Sequence, residues 1–317
     1  MWDALIRRAR RWMRPRAPEP LPVQLDRRRI YVLPTAGGLF FAGLIGAMLL
    51  TALNFNNNPG LLLALLLAGA AHTSLLAAHL QLSGLRVEAI AAEPVPAGTP
   101  LHLRLALADS DGRPRIGVQI ACGDVTTTVS LTGGSVTAEL ALATDRRGLL
   151  PLPRLTLSSI QPLGLVRAWA YVWPAQQLLV YPAAEPHAPP LPLPANLQGL
   201  PQPERLGEDV HHLRDYRPGD APRLIAWKPS ARHETLLVRD AEQPRGGELV
   251  LDWQHTAGLP YEQRIRRLAR WVEMAEQAGL RYGLRLPAQP PIPVGQGDAH
   301  RHRCLRALAL LPQEALQ

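Results

Sequence analysis

From Ile30 to Leu85 the chain carries no Asp, Glu, Lys or Arg, and this one stretch limits what it can fold into. It divides at Asn54-Phe55-Asn56-Asn57-Asn58-Pro59. The first half, Thr35–Leu53, holds about 19 residues and would reach ~28 Å as a helix, close to the hydrocarbon thickness of a bilayer. The second half, Leu61–Leu82, is also long enough. Pro59 suits the first turn of a helix, and an Asn-rich link suits a tight polar turn. The stretch reads as a transmembrane hairpin. A cleaved signal peptide would need a leading segment of nearly the whole 1–29 region, and a second apolar run would not follow it at once.

Charge sets an expected orientation. The net charge is +8, and residues 1–29 hold nine arginines against Asp3, Glu19 and Asp26, so six of those eight charges sit at one end. Arg27-Arg28-Arg29 abut the first span, whereas the Asn-rich turn is uncharged. Arginine marks the cytoplasmic side, and two spans return the chain to the side it left. Both termini are therefore expected in the cytoplasm. Trp2, Leu5, Ile6, Ala9, Trp12 and Met13 recur at helical spacing among arginines, which fits either an amphipathic helix on an anionic membrane surface or a basic tail. The near-neutral remainder speaks against a nucleic-acid binder. Cys122 and Cys304 form neither a disulfide framework nor a zinc spacing and fit a reducing compartment. His72 and His79 fall in or near the second span, where a neutral histidine bonded across the hairpin is the expectation.

The rest divides by composition. Residues 85–181 contain short alternating runs (LRVEAI, LHLRLAL, GVQIA, TTTVSLT, SVTAELAL, LTLSS, QQLLVYP) broken by Gly, Pro and Asp, the pattern of a small antiparallel β-sandwich. Residues 182–203 hold eight prolines and read as an extended, semi-rigid linker. Beyond it, ETLLVRD (234–240) and GELVLDW (247–253) read as strands joined by a Pro-Arg-Gly-Gly turn. A helix is expected over Tyr261–Ala278, capped by Gly279, then a strand over 281–287 and a last helix N-capped by Asp298 and stopped by Pro312. Strand, helix, strand, helix is the order of a parallel α/β sheet, with room for about half of one. The expected fold class is α+β multidomain: basic arm 1–29, hairpin 30–84, β-sandwich 85–181, linker 182–203, and a truncated α/β domain over 204–317.

The densest chemistry lies in LRDYRPGDAPRLIAWKPSAR (213–232). Arg217-Pro218-Gly219-Asp220 favours a type II turn, and Leu224, Ile225 and Trp227 supply apolar surface. Both signs of charge gather here, with Glu208 and Asp209 just upstream. Such a set satisfies itself as a network that fixes a loop, or serves as a docking face; the residues alone leave both open.

This stretch resembles the signature of the domain of unknown function 58 family, through Gly207, Arg214, Tyr216, Gly219, Asp220, Arg223, Ile225, Trp227, Lys228, Ser230, Ala231 and Arg232. The hairpin, the β region and the closing LLVYP (178–182) also resemble it, so the resemblance runs over roughly 30–260. Ala226 and Gln161-Pro162-Leu163-Gly164-Leu165 depart from the family pattern, which tends to a polar residue and to Asp-Pro-Phe-Gly-Leu at those places. The resemblance implies a bacterial inner-membrane adaptor working with a MoxR-type AAA+ ATPase, often beside a transglutaminase-like membrane protein, in envelope maturation. It also implies that the C-terminal part is similar to a von Willebrand factor A domain. Such domains often bind Mg²⁺ through Asp-x-Ser-x-Ser, which here reads Asp252-Trp253-Gln254-His255-Thr256. Asp252 and Thr256 alone are a poor start for octahedral coordination, so no metal or other cofactor is expected.

Enzyme motifs are missing: the sequence has no Gly-x-x-x-x-Gly-Lys, His-Glu-x-x-His or Gly-x-Ser-x-Gly. His300, His302 and Cys304 make a weak metal set, since 300 and 304 share a helix face and 302 points away. The alternative to a non-enzymatic adaptor is a membrane-tethered hydrolase or transferase acting on envelope precursors, with Asp220 and a neighbouring Glu or His as acid and base.

Overall fold

The structure is a computed structural model that describes residues 17–193 and 248–313, and the backbone of Leu213–Asp215 and Leu237–Arg239. The chain forms two compact units, 1–181 and 182–317.

In the first unit the uncharged stretch forms two helices, α1 (Ala36–Asn54) and α2 (Asn58–Leu82). Thr35 caps α1 by accepting from the Gly38 amide, and Asn57 caps α2 by accepting from Gly60. Asn56 turns the chain between them with φ 51°, a conformation Asn tolerates. Both helices have a mean hydropathy of 2.0, yet only 11% and 17% of these windows is buried. Phe40, Leu50, Leu62 and Leu66 stand exposed. Core helices of water-soluble proteins do the opposite; these helices are long and apolar enough to cross a membrane. His72 is exposed and His79 half-buried, and neither makes the expected hydrogen bond to α1.

Two antiparallel sheets share one core. The first sheet orders β1 (Val23–Gln24), β3 (Leu85–Ala92), β5 (Leu101–Asp109) and β8 (Ser135–Leu142). The second orders β2 (Tyr31–Pro34), β11 (Val166–Val172), β10 (Leu155–Ser159), β6 (Arg115–Cys122) and β7 (Val125–Leu131). Leu85, Val87, Leu103, Leu105 and Leu107 from one sheet meet Val118, Ile120, Leu155, Leu157 and Ala168 from the other. Strict alternation along β5 produces this, with Leu101, Leu103, Leu105 and Leu107 all inward. A small third sheet joins β4 (Val95–Pro96), β12 (Gln177–Tyr181) and β9 (Gly148–Pro151).

From residue 17 onward the basic arm is woven into this unit. β1 pairs with β3, β2 pairs with β11, and Arg29 is held by Glu19 at 2.9 Å. The strand that leads into α1 is therefore hydrogen-bonded to the domain that follows α2, so the hairpin leaves and returns to the same side. Residues 1–16, including the amphipathic pattern, lie outside the described residues.

In the second unit β15 (Leu249–Asp252) pairs parallel with β16 (Tyr282–Arg285), and β17 (Ile292–Gly295) closes the sheet antiparallel. Between β15 and β16 runs α3 (Tyr261–Gln277), which buries Ile265, Leu268, Ala269, Trp271, Val272 and Ala275. Gly279 ends α3 at φ 64°, with the Leu280 amide donating to the Ala275 carbonyl. The last helix, α4 (Asp298–Ala309), differs from expectation. Its N-cap is Gly297 at φ 92°, and Asp298 is the first helical residue and makes no cap bond. The Gly297 amide instead donates to the Glu276 carboxylate of α3.

Candidate functional site

The signature residues Tyr216, Gly219, Asp220, Arg223, Trp227, Lys228, Ser230 and Arg232 lie outside the described residues, and Arg214 is described in backbone only. What is described is the stem. β13 (Leu213–Asp215) pairs antiparallel with β14 (Leu237–Arg239), in the register Leu213↔Arg239, Arg214↔Val238 and Asp215↔Leu237. Residues 216–236, which lie outside the described residues, connect these two strands in the chain. Both strands expected at 234–240 and 247–253 form, as β14 and β15. Among the described residues β14 pairs with β13, while β15 pairs with β16. The local sequence showed two strands with a turn between them, but pairing over more than twenty residues leaves no local pattern to read.

The two metal candidates are occupied by structural bonds. Asp252 caps the short 3₁₀ turn that follows β15, accepting from the Gln254 amide at 2.9 Å, and its other oxygen faces Arg285 at 3.3 Å. Thr256 is buried; its hydroxyl donates to the Trp253 carbonyl at 2.7 Å and accepts from Arg264 Nε at 3.1 Å. Arg264 also lies 4.2 Å over the Trp253 ring. A guanidinium against the hydroxyl is poor company for a cation. At the far edge, His300 and Cys304 share a buried face as their spacing implied, and His302 is exposed. His300 Nε2 sits 2.6 Å from the Tyr282 carbonyl, which accepts its proton. Burial and the Glu276 carboxylate, which accepts from the Tyr282 hydroxyl at 2.8 Å, push that phenol upward. Burial pushes the Cys304 thiol up to about 12.

One contact set was not legible in the sequence. The first half of the Pro-rich segment runs along α3: Glu185 makes a bidentate pair with Arg267 at 2.8 and 3.0 Å, and Trp271 donates to the Pro189 carbonyl at 2.9 Å. The hydrogen bond from Arg267 holds Glu185 below its ordinary value against the opposing effect of burial. The only hint was that Glu185 is the one acidic residue in the run.

Residues 212–315 match the family described as protein of unknown function DUF58. The match takes in the stem, the signature and the α/β part; the hairpin and sandwich, which the sequence reading had included, lie outside it. The chain is similar to the uncharacterized protein YeaD of Bacillus subtilis (strain 168), at 28% identity over 100 residues, or 31% of this chain and 25% of YeaD. The matched part thus spans about a quarter of that relative's length. No solved structure matches.

Proposed function

We propose that this protein is a non-enzymatic membrane adaptor whose signature loop docks a MoxR-type AAA+ ATPase, which supplies the energy for assembly work in the cell envelope. The match of residues 212–315 carries this reading, because it covers the signature that the partner is inferred from. Two observations support it. The strands on either side of the charge-rich stretch, at 213–215 and 237–239, pair with each other. The two apolar helices are long enough to cross a membrane, and the strand before them pairs with the domain after them. Arginine forks suit carboxylates of an acidic partner face.

In the same reading, both termini face the cytoplasm of a bacterial inner membrane, and the sheet of β15, β16 and β17 with α3 and α4 is a truncated von Willebrand factor A-like domain without a working metal site. A transglutaminase-like membrane protein is a further partner. A topology reporter fused after Gln317 should be active only on the cytoplasmic side. Charge reversal by Arg214→Glu or Arg232→Glu should weaken the ATPase complex while membrane insertion persists. Undiminished binding by both variants would remove the docking role.

A further inference from the structure

Both helices arrive at one end of the five-stranded sheet. β2 ends there at Pro34, β10 ends at Ser159, β11 begins at Val166 beside Pro34, and β6 begins at Arg115. The 160–165 loop joins β10 to β11 at this end. Thr35, at the head of α1, donates to the Gly164 carbonyl at 2.7 Å, and its amide donates to the Leu165 carbonyl at 2.9 Å. Gln161 packs against Gly117, and the Ile116 amide donates to Gln81, in the last turn of α2, at 3.2 Å. Loop, β6 start and both helix ends therefore form one continuous rim.

This rim exposes large apolar side chains where a water-facing sheet end would carry polar ones. Leu163 is 58% exposed, Ile116 56% and Ile160 44%. Leu33, one residue before Pro34, and Leu80, in the last turns of α2, are exposed beside them. An exposed cation, Arg113, stands two residues before the start of β6 at this end.

Helix lengths place the rim at a definite depth. α1 has 19 residues and α2 has 25, so the last six residues of α2, or about 9 Å, run past the head of α1. Those turns enter the sandwich, where Ala78 and Leu82 join its core. The sheet end thus begins at the level where α1 begins, which is the edge of the hydrocarbon.

We propose that Ile116, Ile160, Leu163 and Leu33 form an apolar collar that sits in the interfacial layer of the bilayer, with Arg113 set against anionic headgroups. The collar rests on the hairpin spanning a membrane but not on the docking of any partner. An amphipathic rim of this composition partitions to the headgroup boundary. It would hold the soluble unit at a fixed tilt and distance rather than on a swivelling tether.

The test uses the full chain in vesicles of phosphatidylethanolamine and phosphatidylglycerol. A spin label is attached in turn at Leu163→Cys, Leu66→Cys and Asp124→Cys, and its collisions with oxygen and with a water-soluble nickel chelate are measured. The native Cys122 and Cys304 are buried with thiols raised to about 11 and about 12, so they stay unlabelled at neutral pH. Leu66 lies on α2, and Asp124 follows the far end of β6, about 20 Å along the strand from Ile116. The collar predicts lipid-like ratios at 163 and 66 and a water-like ratio at 124. A water-like ratio at 163 with a lipid-like one at 66 would overturn the collar and leave the hairpin standing. Water-like ratios at both would overturn the hairpin and the collar together.

Discussion

Arg115, fully buried at the start of β6, clamps Asp109 at the end of β5: its Nη2 and Nε donate to the carboxylate at 2.6 and 3.1 Å. Its remaining Nη1 donates to the carbonyls of Leu80, Gln81 and Ser83, at 3.3, 2.9 and 2.7 Å, where α2 runs out of partners for them. One guanidinium thus ties the end of an apolar helix to the connection between the two sheets. Removing it by Arg115→Met strands a buried carboxylate and three carbonyls, and should cost about 3–5 kcal/mol. Denaturant unfolding in detergent micelles reads this directly, and a loss under 1 kcal/mol would mean that the clamp is dispensable.

The same pair sets an acid limit. Burial alone would raise the Asp109 carboxyl, but the Arg115 donors and the Asp111 and Arg113 amides outweigh it and hold the group below its ordinary value. A carboxylate lowered on folding contributes fully above its unfolded pKa of about 4 and loses that contribution as pH falls through the lowered value. Stability should therefore drop on acidification below about pH 4, with a smaller slope in Asp109→Asn. Equal slopes would assign the acid loss to other groups.

Gly38 sits so close to the Leu165 carbonyl that a Cβ there would overlap it. Gly38→Ala should push the head of α1 off the 160–165 loop, at roughly 1–3 kcal/mol. Gly43, in the same helix, has nothing near its absent Cβ, so Gly43→Ala should be neutral or stabilising by up to ~1 kcal/mol. Matching midpoints for the two variants would remove the close approach as a constraint.

Glu185 and Arg267 pin the Pro-rich segment to α3 with about a fifth to a quarter of each side chain still exposed. That exposure limits the pair to about 1 kcal/mol. Glu185→Gln should speed proteolytic cleavage within 182–193 more than it lowers the unfolding midpoint. Because this carboxyl is also lowered on folding, the wild-type protection should fade as pH drops below about 4.

Asp252 acts as a cap, so Asp252→Ala should cost about 1 kcal/mol whether or not Mg²⁺ is present. A wild-type melting midpoint that rises with Mg²⁺, and ceases to in Asp252→Ala, would restore the metal reading.

The sequence showed most plainly what repeats locally. The apolar hairpin was visible as an uncharged run, and strands such as β5 as alternation. α3 was visible as a face of Ile265, Leu268 and Val272. β11 was missed because VRAWAYV is buried almost throughout, with Val166, Ala168, Ala170 and Val172 on the core and Trp169 and Tyr171 against Tyr31, so no alternation survives. β1 and β2 were missed because their pairing is long-range and arginines and prolines surround them. Arg115 carries no local mark of its role in the sequence, since its partners lie at 80–83 and 109. Of the candidate site only the stem is described, and its strand at 213–215 was hidden inside a motif read for its charges.

The central claim is that the signature loop recruits an ATPase. Affinity purification from detergent-solubilised native membranes, with and without ATP, tests it by comparing wild type with Asp220→Ala and Arg232→Ala. The adaptor reading predicts that wild type recovers an AAA+ ATPase and that both variants, still folded and membrane-inserted, lose it. Equal recovery by all three proteins would contradict docking through the signature, and no ATPase in any sample would contradict the adaptor reading itself.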